Sequence, residues 1–109
     1  MRVWDISPDK LCRFHLLGEH TEIHALWSIL INNKKGFAKH PETLRWKGKL
    51  NALYNRHEKI VNEMEKRKYN HKSPLNKTKA IGEEFQNEFV NTVDEQIQIL
   101  KRNRCKCKI

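Results

Sequence analysis

The sequence predicts an all-α fold, a compact bundle of three main helices with an extended N-terminal segment packed against them. Apolar residues recur at helical spacing in three separate stretches. The first two stretches open on a proline followed by an acid, the layout of a helix start. No stretch shows the apolar–polar alternation of a half-buried strand. A chain of 109 residues is expected to form a single domain, residues 1–109, around one modest core.

Ser7-Pro8-Asp9 supplies a capping hydroxyl, a proline for the first helical position and an acid for the first turn. The helix it opens is predicted to run to about Ile31. Cys12, Leu16, Ile23, Trp27 and Leu30 fall on one narrow stripe of it, the expected core face. Gly18 interrupts this helix at a cost of about 1 kcal/mol relative to alanine. Asn32 to His40 reads as a basic loop. His40-Pro41-Glu42 starts the second helix, predicted to continue to Tyr69-Asn70 with Leu50, Leu53, Tyr54, His57, Val61 and Met64 at helical spacing. His71 to Lys79 is a second basic connector. A third helix is predicted after Gly82, with Phe85, Phe89, Val93, Ile97 and Leu100 as its stripe. The closing KRNRCKCKI has no core pattern and is expected to fray. Trp4, Trp27 and Trp46 are expected in the core or at helix junctions, with Trp4 beside the start of the chain.

Lys and Arg number 22 against 13 Asp and Glu, a formal charge of +9. Such an excess favours polyanions, nucleic acid first and anionic membrane second. No apolar run approaches the length of a membrane span, and the first residues turn polar too soon for a signal peptide. The expectation is an intracellular protein, in cytoplasm or nucleoid, or in a host cell if the chain is virus-encoded. Cys12, Cys105 and Cys107 make an odd count, which is no disulfide framework. Cys12 is expected to pack as a small hydrophobe. The CKC tail is a weak metal signal.

HLLGEHTEIH, His15 to His24, carries the candidate chemistry. His15 and Glu22 lie seven residues apart, about two turns along one side of the first helix, flanking the apolar stripe. Spacing alone favours a surface histidine and a surface glutamate on an ordinary helix. His20 and His24 share a face, but HTEIH is not a zincin motif: Glu22 lies about 200° around the helix from His20. His20 and His24 would bind zinc only with ligands from elsewhere. His57 sits in the apolar stripe of the second helix. It reads first as a buried, hydrogen-bonded histidine and second as a site residue.

MRVWDI, HLLGEHTEIHALW, KHPETLRWKGKL, ALYNRHEKIVNEM and YNHKSPL, in that order, resemble the pyrimidine dimer DNA glycosylase family. The resemblance covers most of residues 1–75 and is looser beyond. It implies a glycosylase with abasic-site lyase activity that needs no cofactor or metal. In the family the N-terminal α-amine attacks C1′ of the damaged nucleotide and displaces the base, and the resulting imine permits β-elimination. The matching catalytic residues are Met1, whose amine is the nucleophile, and Glu22; His15 and Arg2 match site residues beside them. An α-amine has a pKa of about 7.7–8.0, so roughly 10–15% is neutral at pH 7. A carboxylate beside C1′ stabilises an oxocarbenium-like state.

The chain departs from the family's phage-type members in three ways. Their mature chain starts at a small threonine, whereas here Arg2 follows Met1 and is expected to keep the methionine in place. Thr21 and Ala25 stand where they carry DNA-contacting arginines. The tail lacks their aromatic, basic ending. Candidate DNA contacts are Arg2, Arg13, His15, Lys34, Lys35, Lys39, Arg45, His57, His71 and Lys72, with Lys47, Lys49, Arg56 and Lys77 as further phosphate ligands. The expected partner is double-stranded DNA containing pyrimidine dimers or abasic sites, bound by a monomer, with no membrane. Two other classes stay open: a helical DNA-binding module without catalysis, and a metal-dependent hydrolase using His20, His24 and another ligand.

Overall fold

The computed structural model describes residues 2–32, 36, 39–69, 74–103 and 106–108. These form helices α1 (Arg13–Asn32), α2 (Pro41–Trp46), α3 (Leu50–Lys66) and α4 (Val93–Arg102), with short 3-10 turns at Pro8–Lys10 and Lys77–Lys79. The all-α expectation holds: α1, α3 and α4 are the main helices, and no strand occurs among the described residues. None of these helices is long and apolar enough to cross a membrane.

The core is built mainly where α1 and α3 pack together. Leu16, Ile23, Leu26 and Trp27 of α1 are buried with Leu53, Ile60 and Met64 of α3. The two helices run antiparallel. Trp27 meets Tyr54 near one end, Glu19 meets Arg56 midway, and Arg67, just past α3, reaches the Leu11 carbonyl at the other end. Val3, Trp4, Ile6 and Leu11 of the N-terminal segment close the same core, as does Leu100 of α4. All three tryptophans are buried, as their expected core role requires. Among the described residues every buried polar side-chain atom has a hydrogen-bond partner.

The helix starts differ from the sequence reading in ways the side chains explain. The Ser7-Pro8-Asp9 start yields only a 3-10 turn, and α1 begins at Arg13. The Arg67 guanidinium donates to the carbonyls of Pro8 and Leu11, and the Cys12 N–H donates to Cys107 Sγ at 3.1 Å. Those are the groups a continuous helix would pair with one another. The second predicted helix is two helices. Gly48 adopts φ +76° between them, and Lys49 forms an antiparallel bridge with Gly82. The carbonyls of Ile81 and Glu83 then accept the N–H groups of Asn51 and Ala52, capping α3. A Cβ on Gly82 would collide with the Gly48 carbonyl, so this crossing requires glycine.

The third predicted helix is shorter than expected. Helix α4 starts only after Thr92, which forms a capping box with Glu95. Phe85 and Phe89 are exposed and belong to no helical stripe. Residues 86–91 instead lie across three cations, two of them buried: Arg45 donates to the Glu88 carbonyl, Lys49 to Gln86 and Asn87, and the half-buried Arg2 to Asn91. The tail also departs from the fraying expectation, since the Lys108 N–H donates to the Lys10 carbonyl at 2.7 Å.

Candidate active site

Residues 2–6 form no regular element, yet their backbone is held as firmly as a strand's. Side chains from three helices take the place of a neighbouring strand. Val3 N–H donates to Glu42 Oε1 of α2 at 3.1 Å, Trp4 N–H to Glu19 Oε1 of α1 at 3.0 Å, and Asp5 N–H to Gln96 Oε1 of α4 at 2.8 Å. Arg45 donates to the Val3 carbonyl and Arg56 to the Ile6 carbonyl, each at 2.9 Å. Each N–H from residue 3 to residue 5 therefore ends on a helix-borne side chain.

These clamps are charged and buried, and they neutralise one another. Arg45 pairs with Glu42 at 2.7 Å and Asp5 at 3.1 Å. Arg56 grips both oxygens of Glu19, at 2.6 and 3.0 Å. Burial pushes the Glu19 carboxyl above the usual range, against the pull of Arg56 and the Trp4 N–H. Removing one partner would strand a buried charge, a loss on the order of 3–5 kcal/mol.

Glu22 stands one turn beyond Glu19 on α1. From Leu11 back to Trp4 the N-terminal segment runs along α1 from its first turn to the level of Glu19, which is the direction of Glu22. Glu22 is half-buried, and its carboxylate has no hydrogen-bond or ion-pair partner among the described residues. Of the two carboxylates on α1, Glu19 is structurally committed and Glu22 is available.

His15 lies on the same stretch. Its ring meets the Trp4 indole edge-on at 5.7 Å, and the Arg2 guanidinium lies over that indole at 5.1 Å. His15 Nδ1 is 3.1 Å from Cys12 Sγ and 3.4 Å from Cys107 Sγ. Burial by itself would raise the Cys12 thiol. Hydrogen bonds from His15 and Cys107 outweigh it and bring the thiol down to about 6. Cys12 is thus more than the small hydrophobe the sequence suggested. His15 also lines an open cleft with Arg13, Arg67, Lys106 and Lys108.

The candidate DNA contacts divide by exposure. Arg13, Lys39, Lys47 and Lys77 are exposed, and Arg2 is half-buried. Arg45 and Lys49 are buried, and Arg56 is paired with Glu19. His57 is fully buried, as its place in the stripe implied, and is out of reach of DNA. Met1, Lys34, Lys35, His71, Lys72 and Cys105 lie outside the described residues. Among the described residues two groups could ligate a metal, His20 with His24 and His57, and Cys12 with His15 and Cys107. Sequence reasoning missed Glu19, Glu42 and Gln96. Side chains that replace a strand leave no periodic signal.

The family model of the pyrimidine dimer DNA glycosylases matches residues 1–77. The chain belongs to that family. The match takes in the N-terminal segment and α1 to α3, and it stops short of α4, which carries Gln96. Membership implies that this glycosylase acts on pyrimidine dimers in DNA, and neither alternative class gains support from it. No curated protein and no solved structure matches the chain.

Proposed function

We propose that this family member removes pyrimidine dimers with the α-amine of Met1 as nucleophile and Glu22 as the assisting carboxylate, and that it cleaves the abasic product by β-elimination. One observation supports the reading: the backbone of residues 3–5 is fixed by Glu42, Glu19 and Gln96, with Glu19 one turn from Glu22, a carboxylate that has no partner among the described residues. A flexible terminus would pay an ordering cost at every turnover, and a clamped one is already oriented.

The amine lone pair forms a bond to C1′ as the glycosidic electrons leave with the base. Opening of the sugar ring gives an imine between C1′ and the terminal nitrogen. Loss of a C2′ proton then expels the 3′ phosphate. Glu22 faces the positive charge that develops on the sugar. Arg2 and the exposed cations Arg13, Lys39, Lys47 and Lys77 supply phosphate contacts. A dimer step stacks poorly and opens at lower cost than an intact one, which favours the lesion. The test is nicking of ultraviolet-irradiated supercoiled plasmid, with and without EDTA. Nicking confined to the irradiated plasmid is expected; an irradiated plasmid left intact in both conditions would refute the assignment.

A further inference from the structure

We propose that His20, His24 and His57 form a binding site for a zinc-class divalent cation that ties α1 to α3. His57 Nε2 lies 3.2 Å from His20 Nε2 and 3.2 Å from His24 Nε2. All three donor atoms fall within 4.8 Å of one another. Zinc–nitrogen bonds of 2.0–2.1 Å in a tetrahedron put ligand nitrogens about 3.3 Å apart, close to the two distances from His57.

The protonation pattern favours a cation over mutual hydrogen bonding. His57 Nδ1 faces the Glu58 carboxylate at 3.1 Å. A carboxylate accepts, so Nδ1 carries the proton, and in the neutral ring Nε2 turns a lone pair toward the other two rings. That lone pair lies along one direction and serves one donor well, yet two imidazole nitrogens approach it equally. A metal satisfies all three nitrogens at once. The carboxylate behind the ligating ring is the arrangement that orients metal-bound histidines.

The donor set also indicates the ligand class. Three neutral imidazoles suit zinc, cobalt, nickel or copper and do not suit calcium or magnesium. His20 and His24 stand one turn apart on α1, and His57 comes from the antiparallel α3, so an ion here crosslinks the core pair of helices. His20 and His24 are half-buried, so solvent reaches the edge of the site. The site is on the far side of α1 from Glu22, about 200° around from His20, so it stands apart from the proposed sugar chemistry.

The experiment titrates zinc sulfate and, in parallel, cobalt chloride into chelator-stripped protein, read by calorimetry, visible absorption and thermal unfolding. One ion per chain is expected at this site, with no thiolate charge-transfer band arising from it. Saturating zinc should raise Tm by roughly 10 °C. His20→Gln and His24→Gln should each weaken binding by roughly a hundredfold with the helical circular dichroism retained, and Glu58→Gln by about tenfold. The Cys12→Ser/Cys107→Ser double variant should still take up one ion. Absence of uptake at micromolar metal overturns the proposal. So does uptake that survives in both histidine variants and vanishes in the cysteine pair, which would place the ion at Cys12, His15 and Cys107. No readout involves DNA, so failure here leaves the glycosylase reading to its own test.

Discussion

The backbone N–H of Trp4 donates to the buried carboxylate of Glu19 at 3.0 Å, which ties residue 4 to α1 one turn from Glu22. Glu19 is held in turn by Arg56. The backbone at residue 4 is therefore tied, through Glu19, to the buried Glu19–Arg56 ion pair.

Glu19 has an unusual pH signature. Its folded-state carboxyl is raised above the unfolded value because of burial. A raised pKa means that the folded protein binds this proton more tightly, so the contribution is fully present below the unfolded pKa and is lost as pH rises through the folded one. Urea unfolding of wild type and Glu19→Gln should show the advantage of wild type growing as pH falls from 7 to 5. An advantage that shrinks over that range would mean the carboxyl is lowered instead.

Gln96 should behave as a structural clamp. It is almost fully buried, accepts the Asp5 N–H, and donates to Asp5 Oδ2 and the Asn91 carbonyl. Gln96→Ala leaves the Asp5 N–H and the Asn91 carbonyl without this partner and should cost about 2–3 kcal/mol in urea unfolding. A loss under about 0.5 kcal/mol would show that α4 does not hold the N-terminal segment.

Glu22→Gln should do the opposite. The side chain is half-buried without a described partner, so stability should change by no more than about 0.5 kcal/mol. Base removal from a dimer-containing duplex should fall by about 10²–10³-fold, since the amide cannot stabilise positive charge. Wild-type rates in this variant would assign the carboxylate role elsewhere.

Cys12 should alkylate as a thiolate near neutrality. Its thiol titrates at about 6 because hydrogen bonds from His15 and Cys107 overcome the cost of burial. Iodoacetamide labelling followed by peptide mapping should give a rate midpoint near pH 6, moving upward in Cys107→Ser. A wild-type midpoint near the ordinary thiol value of about 8.5 would contradict the hydrogen-bonded geometry.

The helical class and much of the core were legible because burial on one face leaves a period in the sequence; Leu16, Ile23 and Trp27 read correctly from spacing alone. The helix breaks were not. Arg67 captures the carbonyls that would have joined Pro8–Lys10 to α1, and Gly82 crossing Gly48 divides α2 from α3. Both are contacts between residues far apart in sequence. The same limit applies to the site. Glu22 followed from the family resemblance, whereas Arg45, read as a phosphate ligand, is the buried hub of Asp5, Glu42 and Val3. Nothing local distinguishes an arginine that meets solvent from one that meets a buried carboxylate.

Borohydride reduction in the presence of an abasic duplex, followed by peptide mapping of the adduct, tests the amine chemistry most directly. A covalent protein–DNA complex is predicted, with the reduced adduct on the nitrogen of Met1, and a residual N-terminal tag should abolish it by converting the amine to an amide. An adduct on an internal lysine such as Lys10, or no trapped complex at all, would contradict it.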